Sequence, residues 1–321
     1  MFLGRRNVIG GGGLEPWISR GAYSGESVCF GVGTAGPRYV IVGNSGMIRS
    51  SPDGENWTTR TSPVGTNFSW RKVAFGGGVF MAIGQLGSGS TTTYFMTSAD
   101  GDTWVGGSGM NYNALGLAYG NGMFVVVDAS LNATIRITAN NGTSWSTANP
   151  PERSSIQWRG LAFGNNVFVG VALNGVNWRA MTGNNTATTW TGRAAAAFLD
   201  WRDVCFGNNL FLAVASSGTG NRVMTSQNNG ATWISRASAA DNHWNAVCHA
   251  LGRDGGLFMA VGETGVGTRS MFSKDGINDW TIHPTPNDYA YKDVCYGVGT
   301  AGGRLVAVSS SNVMTMDYAA A

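Results

Sequence analysis

The sequence predicts an all-β protein, a seven-bladed β-propeller with four-stranded blades, and three observations lead to that prediction. Glycine accounts for 49 of the 321 residues, about double the usual ~7%, and the glycines lie between short apolar runs, as turn residues do. Charged residues make up only 12% of the chain, about half the usual ~25%, so long amphipathic helices are not expected. The third observation is an internal repeat, which decides the fold.

The repeat places an aromatic ring at the same point of seven consecutive copies, before a glycine in six of them. The seven positions are Phe30, Phe75, Tyr119, Phe163, Phe206, His249 and Tyr296. Their spacings are 45, 44, 44, 43, 43 and 47 residues, which matches the roughly 40–50 residues of a propeller blade. Short runs of alternating apolar residues between turn signals predict four strands in each copy. A single blade cannot cover both of its faces, so the copies are expected to stack into a closed ring.

The two ends of the chain are predicted to close that ring. Six copies reach a Trp at the start of their fourth strand, but the seventh stops at Val313-Met-Thr-Met-Asp317, before any Trp. Trp17-Ile-Ser-Arg20 repeats Trp233-Ile-Ser-Arg236 near the other end of the chain. We therefore expect a strand around Trp17 to complete the last blade. Residues 14–321 would then form one domain, preceded by an N-terminal arm over residues 1–13.

Several classes of protein are disfavoured by composition. The net charge of +3 and the pI near 8.7 are too mild for a nucleic-acid partner. No run approaches the ~18 apolar residues of a membrane span, and residues 1–13 lack the apolar core of a signal peptide. We expect neither nucleic-acid binding nor membrane insertion. The arm carries Arg5 and Arg6 before four glycines, so it either docks on a neighbouring subunit or is a disordered tail.

The turns before the repeated Trp residues carry a family resemblance. Thr138-Ala-Asn-Asn-Gly-Thr-Ser-Trp145 and Ser51-Pro-Asp-Gly-Glu-Asn-Trp57 resemble the Asp-box of sialidase-like (BNR) propellers. The chain is also similar to bacterial and phage repeats of the form VAFGNGxFVAVG…SxDGxxW. The resemblance implies a propeller fold and, for the phage type, a tail or fibre protein. In such turns Asp or Asn bonds nearby backbone and the Trp packs in the blade. The turn residues predicted to act in this structural way are Asp53, Asp100, Asn140, Asn228 and Asp275.

An active site is not expected. Sialidases add to their Asp-boxes an Arg triad, an Arg-Ile-Pro motif, a Tyr nucleophile and a Glu partner, and they use six copies. This chain has no Arg-Ile-Pro and seven copies. A glycosidase needs two carboxylates roughly 5–9.5 Å apart. Asp200 with Asp203, or Asp288 with Asp293, would supply such a pair, or these are solvated loop and strand-entry carboxylates. We predict no catalytic residue.

Histidines and cysteines do not indicate a metal or a cofactor. His243 and His249 are six residues apart, which is not a usual metal-ligand spacing. His249 takes the aromatic position of its copy and is expected to pack as a ring. The four cysteines share one blade position, which is Ala in the other three copies, so they are predicted to be buried free thiols near the central axis. They are Cys29, Cys205, Cys248 and Cys295.

The candidate ligand-binding residues follow the aromatic that opens the first strand of each copy. They are Arg71, Arg159, Arg202, Lys292 and Asn245, with Glu26 and Leu115 in the remaining copies. Ring symmetry would bring these side chains together at one mouth of the central channel. Arginine forks suit a carboxylate, a phosphate or an acidic sugar. Alternatively, each cation pairs locally, for instance with Asp203 or Asp293. Trp178 is the one Trp outside the repeat and the candidate exposed aromatic contact.

Three functions stay open at this point. The first is a non-catalytic binding or assembly module, a phage virion (tail or fibre) component that contacts a host-surface glycan or a neighbouring virion protein. The second is a stand-alone glycan-binding propeller lectin, and the third is a polysaccharide-degrading glycosidase or lyase. We predict binding without chemistry, and a location in the virion or in the host cytoplasm during assembly. This choice rests on resemblance, because a fold does not by itself imply a function.

Overall fold

A computed structural model describes residues 14–87, 93–110, 113–129, 133–154, 156–252 and 255–319. It contains seven four-stranded antiparallel sheets arranged in a ring, which confirms the predicted seven-bladed propeller. The predicted arm over residues 1–13 lies outside the described residues. No described segment is a helix long and apolar enough to cross a membrane.

Each blade consists of consecutive strands running from the central channel outwards. Blades 1 to 3 are β2 (Ser27–Gly33), β3 (Gly36–Val42), β4 (Ile48–Ser51), β5 (Thr58–Arg60); β6 (Phe68–Gly76), β7 (Val79–Leu86), β8 (Thr93–Ser98), β9 (Val105–Met110); and β10 (Ala114–Gly120), β11 (Met123–Asp128), β12 (Ile135–Thr138), β13 (Ser146–Ala148). Blades 4 and 5 are β14 (Trp158–Gly164), β15 (Val167–Ala172), β16 (Ala180–Gly183), β17 (Trp190–Arg193); and β18 (Trp201–Gly207), β19 (Leu210–Ala215), β20 (Val223–Ser226), β21 (Ile234–Arg236). Blade 6 is β22 (Trp244–Ala250), β23 (Leu257–Gly262), β24 (Ser270–Ser273), β25 (Thr281–His283), and blade 7 is β26 (Tyr291–Gly299), β27 (Gly302–Ser309), β28 (Val313–Asp317) with β1 (Ile18–Ser19).

The strand β1 closes the ring, as the sequence predicts. It pairs antiparallel with β28, with Ile18 opposite Thr315. Arg20 Nε donates to Thr315 Oγ1 at 2.7 Å, as Arg236 Nε donates to Thr225 Oγ1 at 2.9 Å in blade 5. The N-terminal segment therefore reproduces the side-chain bond of an ordinary outer strand.

The aromatic–glycine pair of the repeat joins neighbouring blades. At six of the seven junctions the ring of the aromatic lies against the glycine of the preceding blade, so closely that a Cβ on Gly164 would stand 2.1 Å from Cγ of Phe206. At the junction between blades 6 and 7 the corresponding residue is Ala250. The last contact of the ring is between Gly297 of blade 7 and Phe30 of blade 1. At these six junctions a Cβ would overlap the ring, which explains the glycine of the repeat. His249 follows the same rule, because its ring lies against Gly207 and 4.8 Å from the Phe258 ring.

Hydrogen bonds inside the turns between third and fourth strands match the role predicted for their Asp and Asn residues. The carboxylate oxygen of Asp53 accepts bonds from the N–H groups of Glu55 and Asn56 at 2.8 and 2.9 Å. Ser51 Oγ accepts from Gly54 N–H at 2.8 Å, and Trp57 Nε1 donates to Gly54 O at 3.1 Å. Corresponding bonds to the turn side chain occur at Asp100, Asn140, Asn228 and Asp275. These hydrogen bonds hold the five turns in shape.

Candidate binding site at the channel mouth

The seven inner strands all start at the same end of the ring, which we call the mouth face; the other end, with the hairpins between first and second strands, is the hairpin face. In blades 2 to 7 the pairing of the inner strand shifts register at the residue after the opening one, which is aromatic except for Ala114 of blade 3; in blade 2 the shift lies between Trp70 and Lys72. A β-bulge re-aims the side chain at the bulged position. The opening Trp70, Trp158, Trp201 and Trp244 are buried, so they anchor the strand directly beside that bulge.

The bulged residues gather at a single cavity of about 50 Å³, room for a few waters or one small anionic group. Its lining consists of Glu26, Arg71, Lys72, Leu115, Arg159, Arg202, Asn245 and Lys292. All seven positions predicted from ring symmetry are therefore brought together. Lys72 was not among them, because it is the next residue along the strand and has no cationic counterpart in the other copies. The lining carries five cationic side chains and one carboxylate, so cations outnumber anions there.

Two of the candidate residues are engaged with a carboxylate on one side of the cavity. Lys292 Nζ donates to Glu263 Oε2 at 3.1 Å, and Asn245 Nδ2 approaches the same oxygen at 3.3 Å. Burial of Glu263 raises the pKa of its carboxyl, but the bonds from Lys292 and Asn245 outweigh burial and the pKa lies below its usual value. Lys292 is thus locally neutralised.

The three arginines have much weaker compensation. Arg202 Nε donates to Ser216 Oγ at 2.7 Å, a neutral partner. Arg71 Nε is buried with no hydrogen-bond partner among the described residues. Arg159 likewise makes no ion pair and no side-chain hydrogen bond with any described residue. Burial lowers the pKa of Arg159, and the charges of Arg202 and Arg71 lower it further, against the opposing effect of Asp203.

The predicted alternative, in which the arginines pair with Asp203 or Asp293, is wrong. Among the described residues, neither carboxylate accepts a hydrogen bond from Arg71, Arg159 or Arg202. Asp293 instead accepts from Ser27 Oγ at 2.5 Å, Val28 N–H at 3.2 Å and Lys72 Nζ at 3.3 Å. Asp203 accepts from Val247 N–H at 3.1 Å. Both aspartates therefore tie the inner strand of one blade to the next blade, below the arginines.

The other members of the two suggested carboxylate pairs lie in loops. Asp200 accepts from Arg179 Nη1 at 3.2 Å, and Asp288 accepts from Gly267 N–H at 2.6 Å. Burial raises the pKa of Asp203, with Lys72 opposing and Asp293 adding to that rise. Each carboxylate of the two pairs is thus occupied by a bond that holds the structure together.

The four cysteines lie on the inner strands, two residues after Asp203, Asp293 and the equivalent positions of blades 1 and 6. Cys29, Cys205, Cys248 and Cys295 are all free, and burial raises the pKa of each thiol. They are therefore poor nucleophiles. Over the ranges that the structure describes, no group of three His, Cys, Asp or Glu side chains is placed to hold a metal ion.

Trp178 lies on the mouth face, in the connection between β15 and β16. Its side chain is 37% exposed, and its ring lies on Gly192, where a Cβ would meet ring atoms at 2.6 Å. Phe198, in the connection from blade 4 to blade 5, is 68% exposed. The sequence analysis missed Phe198, since an irregular connection without counterparts in the other copies gives no signal.

Comparison with known proteins bears on the fold. No family model matches the chain, and no curated protein matches its sequence. Among solved structures, YCF48 from Cyanidioschyzon merolae superposes with a TM-score of 0.68 at 16% identity, covering 94% of this chain and 98% of YCF48. YCF48 bound to D1 peptide gives 0.67 at 14% identity over 96% and 98%. The WD40 β-propeller domain of Doa1 gives 0.65 at 13% identity over 95% and 96%. At these identities the likeness shows a shared propeller fold.

Proposed function

We propose that this propeller is a non-catalytic binding module that holds an anionic group of its ligand at the channel mouth. The observation that carries the proposal is the trio of Arg71, Arg159 and Arg202, which line one small cavity without an acidic partner at bonding distance. A desolvated, unpaired guanidinium is costly, and an anion that accepts its N–H bonds removes that cost. The cavity is thus prepared for a charge that the chain itself does not supply.

The chemistry of the site favours a carboxylate, phosphate or sulfate. Planar guanidinium forks bind such groups through paired hydrogen bonds. A cavity of about 50 Å³ holds one such group and not a whole sugar ring or amino acid. The rest of the ligand would therefore lie across the mouth face.

A narrower proposal concerns the setting. The similarity of the repeats to bacterial and phage sequences supports a phage virion (tail or fibre) component, located in the virion or in the host cytoplasm during assembly. Its acidic ligand would be a host-surface glycan or a segment of a neighbouring virion protein. YCF48, which has a similar fold, has been solved bound to D1 peptide, and this supports a protein partner. The bonds that occupy Asp203, Asp293 and Glu263 support binding without catalysis.

The test is a binding titration of sulfate, of an acidic bacterial polysaccharide and of an oligo-aspartate peptide, with new reducing ends recorded in parallel. We expect binding that falls at least roughly tenfold, about 1.4 kcal/mol, when Arg71→Ala and Arg202→Ala are combined. Lys274→Ala removes an exposed cation from a turn on the hairpin face and should change nothing. Unchanged binding in the double variant would refute the site, and new reducing ends would refute the absence of catalysis.

A further inference from the structure

We propose that the mouth face carries a second, apolar subsite beside the arginines, and that the ligand is an acidic segment of a partner protein whose apolar side chain enters it. This inference rests on the proposed function and names its ligand class. The subsite, which we call the alanine cup, is a pocket of about 30 Å³. It is lined by Asn177, Arg179, Ala194, Ala195, Ala197 and Phe198.

Two strongly exposed apolar side chains lie at or next to the alanine cup. Phe198 is 68% exposed and Val176, on the facing loop, is 74% exposed. The Arg179 guanidinium lies 5.4 Å from the centre of the Phe198 ring and also donates to Leu173 O at 3.1 Å and to Asp200 at 3.2 Å. The cation is thus held in place under the ring and is not itself a free anion site.

The loop over residues 176–178 forms the facing wall of the cup and is held in shape by Glu152, in the connection between β13 and β14; we call this residue the Glu152 buttress. The carboxylate of Glu152 accepts three backbone N–H bonds, from Val176 at 3.1 Å and from Asn177 and Trp178 at 3.2 Å. Successive N–H groups aimed at one carboxylate hold a loop in a defined shape. A preformed loop loses less conformational entropy when a ligand binds.

The cup is within reach of the arginines along the same stretch of chain. Phe198 and Arg202 are four residues apart, so their Cα atoms are separated by at most about 14 Å. Trp201, between them, is fully buried and fixes the start of β18. An extended peptide advances roughly 3.3 Å per residue, so four or five residues join an acidic group in the channel mouth to an apolar side chain in the cup.

The character of the cup favours a peptide over a glycan. Its lining includes three alanine methyl groups and a phenyl ring beside Asn177 and Arg179. A pocket of about 30 Å³ admits the tip of an aliphatic or aromatic side chain, and the rest of that anchor would lie against the exposed Phe198 and Val176. One face of the Trp178 ring lies on Gly192, which leaves only the other face for stacking. The three arginines of the neighbouring cavity that have no acidic partner supply charge complementarity for an acidic segment.

The experiment compares two acetylated, amidated peptides by calorimetric titration of the full chain. One has the order Phe-Gly-Gly-Gly-Asp-Asp-Asp, and the other has Gly in place of Phe; the reversed orders are measured as well, because chain direction is open. We expect the Phe peptide in one direction to bind roughly tenfold tighter, about 1.4 kcal/mol, than its Gly counterpart. Phe198→Ala should abolish that difference and Phe198→Tyr should preserve it. Val32→Ala, an equally exposed apolar side chain on the hairpin face, should have no effect.

The outcomes separate the two proposals. Equal binding of Phe and Gly peptides, with both weakened by Arg71→Ala plus Arg202→Ala, overturns the alanine cup and leaves the anion site standing. Binding of an acidic polysaccharide with no binding of any peptide also overturns the cup, and favours a glycan ligand. No binding of peptides, polysaccharide or sulfate overturns both proposals.

Discussion

The contact between aromatic and glycine at each blade junction gives a sharp prediction for Gly164→Ala. The added Cβ would lie 2.1 Å from Cγ of Phe206, whereas carbon atoms in contact stand about 3.5–4.0 Å apart. The Phe206 ring would have to retreat by roughly 1.5 Å, but the Phe211 ring lies on the same blade with its centre 4.7 Å away. Forced overpacking of this kind costs about 1–3 kcal/mol, and we expect the free energy of unfolding to fall by that amount.

The junction between blades 6 and 7 shows how the chain tolerates the extra methyl group. Ala250 stands there in place of glycine, and the aromatic of blade 7 is Tyr296. The residue opposite Tyr296 on the second strand is Leu305, where the other blades have an aromatic ring. The Tyr296 ring contacts Tyr318 instead, with centroids 6.0 Å apart. Removal of one ring thus makes room for one methyl group.

The double variant Gly164→Ala/Phe211→Leu should therefore be more stable than the sum of its single variants predicts. We expect a favourable coupling of at least about 0.5–1 kcal/mol, within the range for residues in contact. Urea unfolding followed by tryptophan fluorescence and by circular dichroism measures it, provided that the two transitions coincide. A Gly164→Ala variant within about 0.5 kcal/mol of the parent, or purely additive double-variant energies, would refute the steric reasoning.

Two further predictions concern the turns and the closure. Burial raises the pKa of Asp53, but hydrogen bonds from the N–H group and side chain of Asn56 and from neighbouring residues lower it to about 2 overall. The Asp53 carboxylate therefore stabilises the fold fully above its unfolded pKa of 3.8, and this contribution is lost as the pH falls through about 2. In Asp53→Asn, the free energy of unfolding should fall less between pH 3.8 and about 2, which unfolding measured at a series of acid pH values tests. Trp17 is 4% exposed and its Nε1 donates to Ser270 Oγ at 3.0 Å, so Trp17→Ala should cost about 3–5 kcal/mol in urea unfolding, whereas the exposed Phe198→Ala should cost under about 1 kcal/mol. A Trp17→Ala variant as stable as Phe198→Ala would contradict the closure.

Most of the fold was predictable because each of the seven blades must pack against its neighbours through equivalent sequence positions. Aromatic–glycine spacing reports the blade junctions, and the recurrence of Trp-Ile-Ser-Arg at residues 17–20 reports the closing strand. The same symmetry located Arg71, Arg159 and Arg202 at one mouth, since equivalent strand positions in a ring converge on its axis. Ligand binding by these arginines stays a prediction.

The partners of those arginines could not be read from the sequence. Which blade receives the carboxylate of Asp203 or Asp293 depends on rotation between neighbouring sheets, and a repeat alignment does not contain that angle. Phe198 and the Glu152 buttress lie in connections of irregular length, where no periodicity relates one copy to the next. These are the segments in which repeat proteins vary, and they shape the alanine cup.

The pairing of β1 with β28 also sets the direction in which the protein presents its mouth. Ile18 lies opposite Thr315 in an antiparallel pair, so the chain enters β1 and leaves β28 at the same edge. That edge belongs to the hairpin face, where third strands end and fourth strands begin. The chain that follows β28 therefore leaves the propeller on the side opposite the arginines. A propeller tethered through the chain that follows β28 would point the channel mouth outwards, away from its support and towards an incoming ligand.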